Sequence, residues 1–216
     1  LGPGKYFVTR NDSSIIAFIR GEEDPADTGI RMVGAHTDSP CLKVKPNPGI
    51  KSHGYLNLGV EVYGGVLLNP WFDRDLSIAG RVTVQNAHKK IQSVLINFDR
   101  AVATIPSLAI HLDREANKQR TVNPQKDIPP LLMLAGEKRA FEDLLKEQIK
   151  KEHPELEVAT LLGFELSFYN MQGAAITGMA NEFLASARLD NLLSCYTGIE
   201  SLLHADETVT SLMTCS

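Results

Sequence analysis

The chain has 216 residues, with 22 Lys+Arg against 26 Asp+Glu and a formal net charge of -4. Apolar residues make up 43% and charged residues 22%, a globular composition that excludes an intrinsically disordered chain. Mild acidity argues against a protein that tracks a nucleic-acid backbone, because neutralising phosphates takes clustered Lys and Arg. No apolar run approaches the ~18 residues of a membrane-spanning helix. Three scattered cysteines do not make a disulfide framework, and they fit a reducing cytoplasm. The chain opens at Leu1 without a methionine and stops at Cys215-Ser216 directly after an apolar, strand-like run. Both ends therefore read as cuts in a longer polypeptide.

In chain order, Lys5 to Arg10 and Ser14 to Arg20 are β-branched and aromatic runs around Asn11-Asp12-Ser13, the pattern of a hairpin. A polar loop with Pro25 follows over Glu22 to Gly29. Ile30 to Gly34 then reads as a short buried strand running into His36-Thr37-Asp38-Ser39-Pro40, where Pro40 ends regular structure. Five further strands are predicted: Leu42 to Lys45, Tyr55 to Val62, Ala79 to Gln85, Ile91 to Phe98 and Leu108 to Leu112. Asn86 to Lys90 reads as a hairpin loop, and Asp113 to Pro130 as polar and irregular. The spacing of Phe141, Leu144, Leu145 and Ile149 predicts an amphipathic helix over Glu137 to Glu152, stopped before Pro154. Phe164 to Tyr169 is a strand. Leu189 to Leu203 is a helix with Leu192, Leu193, Tyr196, Ile199, Leu202 and Leu203 as its buried stripe. Val209 to Thr214 is a final buried strand. This order predicts an α/β domain interrupted by a mostly β insertion.

Of the six histidines, His53, His88, His153 and His204 sit in turns or at helix ends, where structural roles suffice. His36 differs, because it follows a strand and precedes Asp38 by two residues. Ligands gather at the carboxyl ends of strands in open α/β sheets. A carboxylate beside an imidazole is the arrangement that orients a metal-binding histidine. Asp190 stands just before an apolar-periodic helix, and its local pattern favours an N-cap over a metal-bridging carboxylate. His111, in an otherwise apolar run, reads as a hydrogen-bonded core residue. There is no Gly-x-Ser-x-Gly elbow, no phosphate-cradling loop and no evident histidine partner for Cys41, Cys195 or Cys215. The segment Asn69 to Leu76 reads as a turn whose Asp73, Arg74 and Asp75 form a local ion pair.

Taken together, several stretches carry a resemblance: GKYFVTRNDSSIIAF, VGAHTDSPCLKVKPNP, GVEVYGG, PWFDRDLSIAGRV, IPSLAIHLDREAN, NPQKDIPP, ELSFYNMQ, NEFLASARLDNLLSC and LMTCS. The sequence resembles the M18 family of aspartyl-type metalloaminopeptidases, most closely its bacterial branch. The resemblance runs from Gly4 to the last residue. It implies a zinc-exopeptidase α/β catalytic domain, here partial, interrupted by a β-rich association domain. Residues 1–36 and 164–216 would be catalytic-domain segments, and 37–163 the insertion used for self-association and substrate contact. Such enzymes remove N-terminal residues from peptides with two zinc ions. By this resemblance His36 is a zinc ligand, Asp38 its orienting carboxylate and Asp190 the bridging ligand. His111 would contact substrate in a neighbouring subunit's site, and some assignments make it a metal ligand. The resemblance also implies a large tetrahedral homo-oligomer and a preference for acidic first residues. A glutamate pair, a further aspartate and a histidine would complete the family's site beyond Ser216. Glu182 and Asp206 match no catalytic position. The 216 residues alone are therefore expected to bind zinc weakly and turn over nothing. The rival readings are a non-catalytic assembly module and a metallohydrolase acting on acylated amino acids.

Overall fold

The hairpin forms as its residues dictate. Strands β1 (Gly4–Arg10) and β2 (Ser14–Arg20) pair antiparallel from Gly4↔Arg20 to Arg10↔Ser14. Asn11 and Asp12 take φ of 53° and 52°, the left-handed conformation that a tight hairpin turn needs and that Asn and Asp tolerate. The computed structural model describes residues 1–136 and 139–216. The chain divides into two compact units, Leu1–Ser39 with Gly173–Ser216, and Pro40–Gln172.

In the first unit the sheet order is β1-β2-β12-β3, with β3 at Arg31–Ala35 and β12 at Ser211–Cys215. β12 runs antiparallel to β2 and parallel to β3. The polar loop before β3 contains one short helix, α1 (Pro25–Thr28), where Asp24 accepts the Ala26 N–H at 2.9 Å and Pro25 presets the first turn. Helix α3 (Leu189–Leu203) lies over β12 and β3, and a Cβ at Gly198 would sit 2.6 Å from Met213 Sδ. That bare backbone is what lets helix and sheet approach so closely. A two-stranded ribbon, β10 (Ala175–Thr177) with β11 (Phe183–Ala185), completes the unit.

Two burial expectations fail in this unit. β3 is an edge strand, and Met32 and Val33 stay exposed. Of the predicted helix stripe, Leu202 is buried and Ile199 packs beside it, while Leu192, Leu193, Tyr196 and Leu203 are exposed. Helical spacing identified the apolar side chains, but the small core of Ile19, Leu202, Met213 and Cys215 covers only part of them.

The second unit is a six-stranded sheet in the order β7-β6-β9-β4-β5-β8, antiparallel throughout. Its strands are β4 (Cys41–Ser52), β5 (Tyr55–Tyr63), β6 (Leu76–Gln85), β7 (Ile91–Asn97), β8 (Leu131–Leu134) and β9 (Thr160–Asn170). The β6–β7 loop closes as predicted, with Asn86 Oδ1 accepting the N–H groups of His88 and Lys90 at 3.0 and 2.9 Å. Helix α2 (Phe141–Glu152) buries Phe141, Leu145 and Ile149 against the sheet, and the first two residues of its predicted span lie outside the described residues. The helix also caps the edge strand. Asn97 N–H donates to Glu152, Gln148 donates to Asn97 O at 2.9 Å, and His153 Nε2 lies 2.8 Å from Leu95 O. Those bonds occupy backbone groups that an edge strand would otherwise offer to another chain.

Leu108 to Leu112 is not a strand. It is irregular and turns at Ala109, whose carbonyl accepts the N–H groups of Leu112 and Asp113. Leu108, Ile110 and Leu112 remain exposed, because no strand pairs with this apolar run. The unit ends at Gln172, so β9 belongs wholly to it, whereas a border at residue 163 would cut through the strand.

Candidate metal centre

The site is built at the carboxyl end of β3. Cys215 pairs with Ala35 in the parallel β12–β3 register. The ladder continues one step further, with Ser216 N–H donating to Ala35 O and Thr37 N–H donating to Ser216 O at 2.8 Å. His36 is thus fixed where the sheet ends, and its side chain is half exposed. His36 Nδ1 lies 3.1 Å from Asp38 Oδ1 and 3.0 Å from Asp38 O. That pairing places the proton on Nδ1 and leaves the Nε2 lone pair outward.

Nε2 faces Asp190 Oδ1 at 3.5 Å. The N-cap reading of Asp190 is therefore corrected. The residue preceding α3 is Arg188, in the left-handed conformation, and no side chain caps the helix. Asp190 itself has φ -85° and ψ 108°, non-helical values, and its side chain is 93% exposed. With this extended backbone the carboxylate faces His36 and not the helix N–H groups.

Two other side chains join these segments. Ser39 Oγ donates to Asp190 O at 3.3 Å, and Cys195 Sγ donates to His36 O at 3.3 Å. The sequence reasoning missed both. Ser39 lies inside the His-x-Asp loop, but nothing in the sequence shows that its hydroxyl reaches across to α3. Cys195 has a histidine neighbour after all, through the main chain and not through an imidazole, so it forms no nucleophile–base pair.

The arrangement suits a cation. A lone pair on Nε2 facing a carboxylate oxygen is repulsive unless a proton or metal ion lies between them. Zinc binds imidazole nitrogen and carboxylate oxygen at about 2.0–2.2 Å, which in tetrahedral geometry separates neighbouring ligand atoms by roughly 3.3–3.6 Å. The observed 3.5 Å falls in that range. The donor set is incomplete for stable zinc, because no group of three or more His, Cys, Asp or Glu among the described residues is placed to hold a metal ion together.

The other sequence candidates lie elsewhere. His111 is on the exposed turn of the second unit. Asp206 accepts Thr208 N–H, which lowers its pKa, and also pairs with Arg31 at 3.5 Å. Glu182 accepts Ala180 N–H within the β10–β11 turn. Asp73 forms no pair with Arg74. Its carboxylate takes Ser107 N–H at 2.8 Å, while Arg74 reaches Pro70 O and Gln172. His53, His153 and His204 engage Ser52 Oγ, Leu95 O and Glu200 O, in keeping with structural roles.

A histidine held by one carboxylate and facing another at a strand end is a pairing that could take one side of a metal ion. Residues 2–215 match the family described as aminopeptidase I zinc metalloprotease (M18), and the chain belongs to that family. Over 215 residues it is 56% identical to a probable M18 family aminopeptidase 2 of Pseudomonas putida, covering 99% of this chain and 50% of that protein. The chain spans about half the length of the relatives it matches. Among solved structures, mApe1 of Chaetomium thermophilum superposes with a TM-score of 0.84 at 32% identity, covering all of this chain and 52% of that one. The mApe1 dodecamer of S. cerevisiae superposes with a TM-score of 0.73 at 26% identity, covering 99% and 49%. The mixed α/β architecture read from the sequence is that of these aminopeptidases.

Proposed function

We propose that this chain carries the His36–Asp38–Asp190 portion of a dinuclear zinc centre in an aminopeptidase that removes N-terminal residues from peptides. The observation that carries the reading is the imidazole of His36, held by Asp38 on Nδ1 and facing Asp190 on Nε2. His36 and Asp190 would hold the metal, with Asp190 bridging two ions through its exposed carboxylate. When bound, zinc supplies a Lewis acid that polarises the scissile carbonyl and acidifies a water. Asp38 fixes the tautomer of His36 and so keeps Nε2 available as a donor. Ser39 and Cys195 hold the two ligand-bearing segments to one another.

Two ligands are fewer than the three or four of a stable zinc site, so the 216-residue chain binds zinc weakly and lacks turnover. A panel of aminoacyl-p-nitroanilides and N-acyl amino acids, assayed with zinc, tests this. No hydrolysis is expected from the purified chain, and metal-dependent release of nitroaniline by it would overturn the reading. In the full-length protein, aminoacyl substrates, those with Asp or Glu first above all, should be cleaved and N-acyl amino acids spared. His36→Ala should abolish that activity there.

The second unit serves self-association in this proposal, with His111 on its exposed turn contacting substrate in a neighbouring subunit. The S. cerevisiae mApe1 structure is a dodecamer, which supports an oligomer. No helix among the described residues is long and apolar enough to cross a membrane, and a cytoplasmic setting is proposed with the rest.

A further inference from the structure

Two of the three free cysteines converge beside the candidate metal centre from opposite directions. Cys215 closes β12, is 4% exposed and pairs with Ala35 of β3. Cys195 lies on α3, is partly accessible, and directs its thiol to the carbonyl of His36, the residue after Ala35. One turn along the same helix, Gly198 packs directly on Met213, two residues before Cys215 on the same face of β12. The side chains of Cys195 and Cys215 interact there, and both belong to the same small core.

We infer that Cys195 and Cys215 form an oxidisable pair that peroxide closes into a disulfide, releasing the carbonyl of His36. Cys195, the more accessible thiol, attacks hydrogen peroxide. Its sulfur gains oxygen as the O–O bond breaks, giving a sulfenic acid and one water. Cys215 then attacks that sulfur, the S–S bond forms, the S–O bond breaks, and the departing hydroxyl takes the thiol proton to leave as a second water. Two thiols and one peroxide give one disulfide and two waters. The bridged Cys195 has no S–H to donate, so His36 O loses its partner on α3. The cross-link needs no metal and stands apart from the aminopeptidase reading.

The test uses the 216-residue chain, treated with one equivalent of hydrogen peroxide under denaturant-free conditions. Free thiols should fall from three to one per chain. Peptide mapping should show the Cys195 and Cys215 peptides joined, and dithiothreitol should restore all three thiols. Cys41→Ser should leave the loss of two thiols intact, whereas Cys195→Ser, at the less buried position, should abolish it. The His36 backbone resonances should shift on oxidation and return on reduction. An unchanged thiol count, over-oxidised Cys195 beside free Cys215, or a bridge involving Cys41 would each overturn the inference.

Discussion

Asp190 Oδ1 and His36 Nε2, far apart in sequence, lie 3.5 Å apart across the carboxyl end of the first unit's sheet. The parallel β3–β12 pairing produces this meeting. It brings the loop after β3 beside the start of the helix that leads into β12. Two weak sequence signals become one site only when the sheet closes.

The role of Asp38 can be separated from that of the ligands. Asp38→Asn keeps the size of the side chain but removes the charge that holds Nδ1–H. Loss of such an orienting carboxylate typically costs about 10–100-fold in metal affinity. Isothermal titration of zinc into the variant and the parent chain should show a weakening in that range. Unchanged affinity would mean that Asp38 plays no orienting part.

Gly80 tests the packing of the second unit. It has φ 151°, and a Cβ there would collide with the carbonyl oxygen of Glu165 on the neighbouring strand β9. Gly80→Ala should lower unfolding free energy by about 1–3 kcal/mol or more, as overpacking and backbone strain combine. Chemical denaturation followed by circular dichroism measures it, and a neutral effect would contradict the β6–β9 register.

Leu145 is fully buried where α2 meets the sheet. Leu145→Ala should cost about 2–5 kcal/mol, the usual range for opening a cavity in a packed core. Leu144→Ala, on the partly buried flank, should cost less. Equal losses at both sites in denaturant titrations would contradict the helix orientation.

Asp73 gives a dependence on pH. The Ser107 backbone N–H holds its carboxyl below the usual range, helped by the Ser107 side chain, opposed by burial and helped least by Arg120. A depressed folded pKa means a stabilising contribution present above the unfolded pKa and lost as pH falls through the folded one. Asp73→Asn should therefore flatten the acid side of the stability profile, below the ordinary carboxylate range, with little change in slope near neutrality. An unaltered acid limb in pH-dependent melting would exclude Asp73 as a contributor.

Much of the fold was legible because local chemistry and final structure agree. The Asn11-Asp12 turn, the Asn86 loop and the Phe141–Glu152 helix each follow from side-chain patterns over a few residues. The failures share a cause. Leu108 to Leu112 has strand composition, but an apolar run becomes a strand only when another strand offers a ladder, and none does. Leu192, Leu193 and Tyr196 have core spacing, yet burial depends on what covers the helix. At the site, His36 and Asp38 could be read together because the pair is local. Asp190 resembled an N-cap from its neighbours alone, and only its extended backbone reveals that its carboxylate points elsewhere. Ser39 and Cys195 left no signal, since their contacts join segments remote in sequence.

The central claim is that His36 and Asp190 share one metal ion. Zinc titration followed by long-range ¹H–¹⁵N correlations of the histidine rings tests it most directly in the 216-residue chain. Zinc should shift His36 Nε2 and leave Nδ1 in its protonated form, and Asp190→Ala should abolish that shift while the hairpin and sheet resonances stay in place. Zinc-induced changes confined to other histidines, or a His36 response indifferent to Asp190→Ala, would contradict the account.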